Sequence, residues 1–459
     1  MGTGVEGRFE RYTEVMVKAL GHASRSQPAR WYLRGLMLPG ERKSVEPMAA
    51  RVHPRDVRSA HQCMHHLVAD SDWSDTALLS AVAGKVVPHL GRGEPCYWII
   101  DDTGTRKYGK HSVGVARQYC GQLGKTENCQ VAVGLSLATS HGSLPLAWRL
   151  YLPSEWTHDR VRCQAAGVPE SIGFATKGEL AREQIEAALA ANIPRGVVLT
   201  DAGYGDEAAL RDWLQAQGLS YAVGIRPATA VWWGEHQPAP ASRQTRGRPR
   251  THVKRDATHT PLSVLGLARA LPAGSYRTVT WREGTNSALR SRFARVRCRP
   301  AQGNRPRDEQ WLIIEWPKGE PAPTKYFLSN LPEDTSFKAL VNTIKMRWRI
   351  EHDYRALKQE VGLGHYEGRN WRGFHHHASL CIAAYGFLML ERLAGVKKNT
   401  ARLQAPALPE AFHPRGAWPD AAARALVNRH REAPARSCHR TRSATLSVLP
   451  QGLQTSIIK

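Results

Sequence analysis

Four carboxylates and two cations fall where they could hold a metal ion and a phosphate. Asp101 and Asp102 close the apolar run Tyr97-Trp98-Ile99-Ile100, and Asp201 closes Gly196-Val197-Val198-Leu199-Thr200. Both runs read as buried strands, which places the acids at neighbouring strand ends. Like charges in such a place raise each other's pKa unless a cation neutralises them, and an all-oxygen set suits Mg2+ or Mn2+. Taken singly, each Asp is as readily a turn or helix-cap residue, so the strands alone leave both readings open. Farther along, a helix is expected over 335–360, capped by Asp334 or Thr335, and one of its faces carries Leu340, Ile344, Arg347, Glu351, Tyr354 and Lys358. On a solvated helix an i, i+4 Arg–Glu pair contributes only about 0.3 kcal/mol. A face that begins with Leu340 and Ile344 points at the core, however, and three charges along it suggest a site for metal and phosphate.

The elements that must hold these residues alternate in type. Beyond Glu94, strands are expected at 97–100, 129–138, 144–152, 196–200 and 219–225, with helices at 179–191 and 206–217. That order predicts a mixed α/β sheet. Residues 1–92 read as helical, from Tyr12, Val15, Met16 and Leu20 and again from Val57, His61, Met64, His65 and Val68, with a break at Pro39-Gly40. They form either a DNA end-binding domain or a plain helical cap on the next unit. The core then divides into 93–225 and 331–395, separated by a β-rich insertion over 226–330, with strands at 276–281, 293–298, 311–316 and 325–329. The last core part adds a nearly apolar helix over 374–393, and 396–459 reads as a loosely ordered basic Pro/Ala/Arg-rich tail.

The 459 residues suffice for two or three domains. Lys plus Arg number 64 against 40 Asp plus Glu, a net charge of +24, which favours a polyanionic partner, most commonly nucleic acid. With 42% hydrophobic and 23% charged residues, a mostly disordered chain is excluded. The apolar run Ala378 to Leu390 is short of the roughly 20 residues of a bilayer span, and no signal-peptide core follows Met1, so no membrane partner is expected. Eight cysteines without a C-x-x-C pair indicate neither a disulfide scaffold nor a zinc knuckle. Within the insertion, Ala241 to Arg255 holds six Lys/Arg and no acid. Its Arg246, Arg248 and Arg250 could enter a narrow minor groove, although a solvated basic loop accounts for them as simply. His375-His376-His377 cannot converge on one ion from successive helix positions; DNA contact or helix capping suits them better. Cys120 and Cys129 are expected as small core residues, and Trp232-Trp233 as core packing or as a platform for a flipped base.

Several of these segments together resemble the DDE transposases of bacterial insertion sequences. The resemblance rests on Ile100-Asp101-Asp102-Thr103-Gly104, on Leu199-Thr200-Asp201-Ala202-Gly203-Tyr204-Gly205, on Arg347-Trp348-Arg349-Ile350-Glu351, and on Gly109 to Tyr119. It covers most of residues 10–395, with the motifs in order. Around the last acid, Arg347, Glu351 and Lys358 match the R, E and K of a Y-x2-R-x3-E-x6-K signature, whereas Ile344 stands at the Tyr position. Trp348 or Tyr354 could substitute for it.

The resemblance implies an RNase H-like core and cleavage of element ends followed by strand transfer to target DNA, with two Mg2+ ions (or Mn2+) on Asp102, Asp201 and Glu351. Asp102 is preferred as the first acid because it directly precedes Thr103, with Asp101 as the fallback. Arg347 and Lys358, together with Lys107 and Lys110, are the expected DNA or phosphate contacts. Implied partners are the terminal inverted repeats and target DNA, with assembly as a homodimer or larger on paired ends; a bacterial cytoplasmic, nucleoid-associated location is expected. The rivals are a metal-dependent endonuclease of the same fold that cuts without joining, and a DNA-binding protein whose catalytic core has decayed.

Overall fold

The computed structural model describes residues 4–91, 93–238, 259–282, 288–303 and 307–402, without the side chains beyond 395. Five helices open the chain: α1 (Val5–Ala19), α2 (Ser26–Met37), α3 (Val45–Val52), α4 (Val57–Ala69) and α5 (Asp75–Val86). Four strands follow: β1 (Tyr97–Arg106), β2 (Ala116–Cys120), β3 (Lys125–Ala138) and β4 (Ser143–Leu150). Next come the short α6 (Ser154–Thr157) and α7 (Arg160–Ala165), then α8 (Lys177–Ala190), β5 (Val197–Thr200), α9 (Ala202–Gly205), α10 (Ala208–Ala216) and β6 (Tyr221–Ile225). The segment beyond contributes β7 (Ala230–Trp232), β8 (Leu262–Ser263), α11 (Val264–Ala270), β9 (Arg277–Arg282), β10 (Leu289–Pro300), β11 (Gln310–Trp316) and β12 (Lys325–Ser329). Three helices close the described chain: α12 (Phe337–Lys345), α13 (Trp348–Gln359) and α14 (Trp371–Arg402).

The architecture is the mixed α/β one expected. β1 pairs in parallel with β5, and β5 in parallel with β6, while β3 runs antiparallel to β1 along its whole length. The strands of 226–330 do not make a separate sheet. β12 pairs with β6, and β11 and β10 follow outward, so the described strands form one 12-stranded sheet. A local core of Val231, Val264, Leu267, Leu312 and Leu328 packs beneath this outer half.

The opening helices share the main core with the sheet and α14. Phe9 meets Phe387 edge to face at 5.1 Å, and the Tyr12 hydroxyl donates to the Ala383 carbonyl at 2.7 Å. The α14 stretch Trp371–Gly395 is long and apolar enough to cross a membrane by length and composition, yet 67% of its most apolar window is buried in this core. It begins earlier and ends later than the expected 374–393.

Two expected boundaries move. β1 does not stop at Ile100, because Asp101 to Arg106 continue to pair with Cys129 to Gly134 of β3. The acids therefore lie inside a strand, where neighbours point to opposite faces. The helix expected over 335–360 is two helices with a joint at Met346-Arg347, and its cap is Ser336, which accepts from the Ala339 N–H. At the joint the backbone stays right-handed, with the i→i+3 bonds Arg349 N–H to Met346 and Ile350 N–H to Arg347. Beyond the joint the buried line runs through Ile350, Asp353 and Leu357, and Glu351 is turned to the open side.

Candidate active site

Asp101 sits in mid-strand, and Arg347 comes to it from the α12–α13 joint. The guanidinium donates to the Asp101 carboxylate at 2.7 Å through Nη1 and to Glu351 at 2.6 Å through Nη2. Burial pushes the Asp101 carboxyl up to about 7 against the opposing pull of Arg347, and the nearby negative charge of Asp201 adds to the rise. Glu351 is the opposite case, with 57% of its side chain exposed at the open side of the joint. Asp201 caps α9, accepting from the N–H groups of Gly203 and Tyr204. Its cap function does not consume all of its acceptor capacity, because a carboxylate has about four lone-pair sites.

Asp102 faces the other way. Its carboxylate takes Lys177, at the start of α8, at 2.8 Å and the Tyr204 hydroxyl at 3.3 Å. The geometry thus gives Asp101, not Asp102, the place shared with Arg347 and Glu351. Tyr354 supports the same face, its hydroxyl donating to the Asp101 backbone carbonyl at 2.9 Å while its ring packs edge-on against Trp148. Gly205 and Gly224 let α9 lie close against β6. A Cβ on Gly205 would stand 2.7 Å from that of Val223 and also collide with the Gly224 carbonyl, and one on Gly224 would meet the Ala202 N at 2.8 Å.

Residues 15–288 match the family described as DDE superfamily endonuclease. The chain belongs to that family. It is also 32% identical over 166 residues to a protein named "Probable transposase for insertion sequence element IS701" from Microchaete diplosiphon, a match covering 36% of this chain and 40% of the relative. This DDE superfamily endonuclease thus spans about two fifths of the relative's length. Its sheet is RNase H-like, with Asp101 on a central strand and Asp201 at the end of the parallel neighbour.

The other expected contacts of the endonuclease divide sharply. Lys358 spends its ammonium inside the protein, on Thr103 Oγ1 at 2.8 Å, the Gly104 carbonyl at 2.7 Å and Gln122 at 2.9 Å, and burial lowers its pKa to about 8. Lys107 is similarly committed to the Tyr366 carbonyl at 2.7 Å. Neither ammonium points freely at solvent as placed; Lys110 alone of these lysines is exposed. Arg246, Arg248 and Arg250 lie outside the described residues. Ile344, at the signature Tyr position, is buried, and Tyr354 rather than Trp348 reaches the acid strand. The three histidines are buried, which corrects their expected DNA contact. His375 accepts from the Leu150 N–H, His376 lies between the Val68 and Trp73 carbonyls and stacks on Trp73 at 3.6 Å, and His377 meets the Tyr32 hydroxyl. Cys120 and Cys129 share one small buried cluster with Val131, and Trp232 is core.

Sequence spacing missed Lys177, Tyr204 and Asp353. Asp353 is wholly buried and held by the Ser143 and Tyr385 hydroxyls, the latter at 2.8 Å. Its signal was available: an acid two residues after Glu351 projects from the opposite, core-facing side of the same helix.

Proposed function

We propose that this endonuclease is a DNA transposase that cuts the ends of its element and transfers the strands to target DNA. The observation that carries the reading is the arrangement at Arg347. One cation joins the acid of a central strand, Asp101, to the acid of a following helix, Glu351, within the field of Asp201.

The donor set fits hard divalent cations in chemistry, being entirely carboxylate oxygen with one buried acid poorly neutralised. As placed, no group of three or more His, Cys, Asp or Glu among the described residues closes around a metal position; Arg347 stands between Asp101 and Glu351 instead. Asp101, Asp201 and Glu351 would hold the ions, and Glu351 is exposed enough to turn. When bound, Mg2+ or Mn2+ supplies activation of the attacking oxygen and neutralisation of charge at phosphorus.

The chain's own residues supply the rest. Arg347, once released from one carboxylate, is within the site to meet a phosphate oxygen. Tyr354 holds the Asp101 backbone in place, and Lys177 pairs with Asp102 on the other face of the strand. Double-stranded DNA is the substrate class that the net charge of +24 favours.

A labelled duplex carrying an element end, incubated with supercoiled target DNA and Mg2+, tests the reading. Labelled end joined to target is the expected product. Cutting without joining would support the endonuclease alternative, and binding without cutting the decayed DNA-binding protein.

A further inference from the structure

We propose that α4 is a recognition helix that reads base edges in a DNA major groove, and that α3 and the turn before it hold it there. This rests on the DNA-acting reading above but concerns a surface away from the acids. α3 has 8 residues and α4 has 13, and they are joined by the four residues His53 to Asp56. Two helices of this size with so short a turn are the proportions of a helix-turn-helix. α2 completes a three-helix unit. Leu33, Leu36 and Met37 of α2, Met48, Ala49 and Val52 of α3, and Ala60, Met64 and Leu67 of α4 are all buried within it. Gly35 allows the close approach, since a Cβ there would stand 2.9 Å from that of Met48.

The opposite face of α4 is open. Arg58, Gln62 and His65 follow one another at helical spacing, flanked by Arg55 in the turn, Ser59 and His66, and all six are exposed. Among the described residues Arg55 and Arg58 carry no carboxylate partner. The acids of the helix are occupied or distant: Asp56 caps the first turn by accepting from the Ser59 N–H, and Asp70 lies at the far end, 3.4 Å from His66. The N-terminal half therefore offers Arg, Ser and Gln, the side chains that match guanine and adenine edges. At about 1.5 Å per residue α4 is roughly 20 Å long, and such a helix fits the major groove lengthwise.

Its inner side is anchored to the catalytic body. His376 of α14 lies 3.0 Å from the Val68 carbonyl, and Asn370 donates to the Ala69 carbonyl at 3.1 Å. Bound DNA would thus be held at a fixed offset from the acids.

The test uses the full-length protein and a library of random 30-base-pair duplexes, selected through several rounds and sequenced. Wild type should enrich one motif. Arg58→Ala/Gln62→Ala, both exposed positions, should keep the wild-type circular dichroism and melting temperature. It should bind the selected duplex about tenfold more weakly and lose preference over three to five adjacent base pairs. Lys85→Ala, an exposed cation lost from α5, should leave the preference intact. Failure of wild type to enrich any motif, or an unchanged motif and affinity within twofold in the double variant, would overturn the assignment. Glu351→Gln separates this from the catalytic reading, since it should enrich the wild-type motif whether or not end cleavage depends on that acid.

Discussion

Arg347 brings one positive charge to a place where Asp101, Asp201 and Glu351 bring three negative ones, and this imbalance governs the site. A buried carboxylate with partial neutralisation is driven toward its neutral form, and Asp101 shows that drift, its pKa rising to about 7. Further cations would reverse it, which is the electrostatic reason for expecting metal here rather than a covalent nucleophile. Lys358 belongs to a different account. Its three acceptors are internal, so Lys358→Met should destabilise the fold by about 2 kcal/mol through buried groups left unpaired. It should leave the salt dependence of DNA affinity unchanged. A denaturant titration beside affinities at two salt concentrations checks both halves, and a reduced salt slope would return Lys358 to the phosphate contacts.

At the scale of elements, the acids are placed by β1, by the β5–α9 turn and by the α12–α13 joint. The turn depends on two glycines that leave no room for a side chain. Gly205→Ala should lift α9 from β6, displace Asp201 and cost about 2 kcal/mol of stability. End cleavage should then fall by more than the stability loss explains, as a single-turnover assay below the unfolding range would show. The joint gains support from Lys345, which pairs with Glu315 of β11 at 2.6 Å and so ties the outer half of the sheet to the helix that precedes Arg347. Much of this was legible in the sequence. The spacing of Arg347, Glu351 and Lys358 predicted one core-facing line, of which Arg347 and Lys358 are half-buried whereas Glu351 lies exposed, and the apolar runs before Asp101 and Asp201 marked two strands that do pair in parallel. What spacing could not decide was parity. The choice between Asp101 and Asp102 turns on which face of β1 meets α13, and that depends on β3 pairing past the acids. The helix joint was hidden because its residues stay right-handed, and Lys177 and Tyr204 reach Asp102 from elements distant in sequence.

Across the whole molecule, the opening helices and the sheet are one core. Phe9, Tyr12 and Met16 of α1 are buried in the main cluster that also holds Ile99 and Phe387. A fragment starting at residue 93 should therefore expose apolar surface and bind a hydrophobic dye, rather than fold as a free catalytic unit; a cooperative melt from that fragment would contradict this. The histidines make the core acid-sensitive. Burial lowers His375 and His377 to about 4, below the ordinary value near 6.5. Above pH 6.5 both folded and unfolded chains hold them neutral. As pH falls from 6.5 toward 4 the unfolded chain takes up protons that the folded one refuses, so the histidines' contribution to stability declines, by roughly 2 to 3 kcal/mol each, while the raised carboxyls of Asp101 and Asp353 act in the opposite sense. The histidine effect is read by difference: the denaturant midpoint of wild type relative to that of His377→Gln should fall as pH drops across that window.

The central claim is that Asp101, not Asp102, is the acid that works with Asp201 and Glu351. Its most direct test is metal-dependent cleavage of a duplex element end by Asp101→Asn and Asp102→Asn, with Glu351→Gln as the reference and equal duplex binding verified for each. Asp101→Asn should match Glu351→Gln, with cleavage reduced by at least about 100-fold, while Asp102→Asn retains a substantial fraction of wild-type cleavage. The reverse ranking, with Asp102→Asn inactive and Asp101→Asn active, would contradict the account.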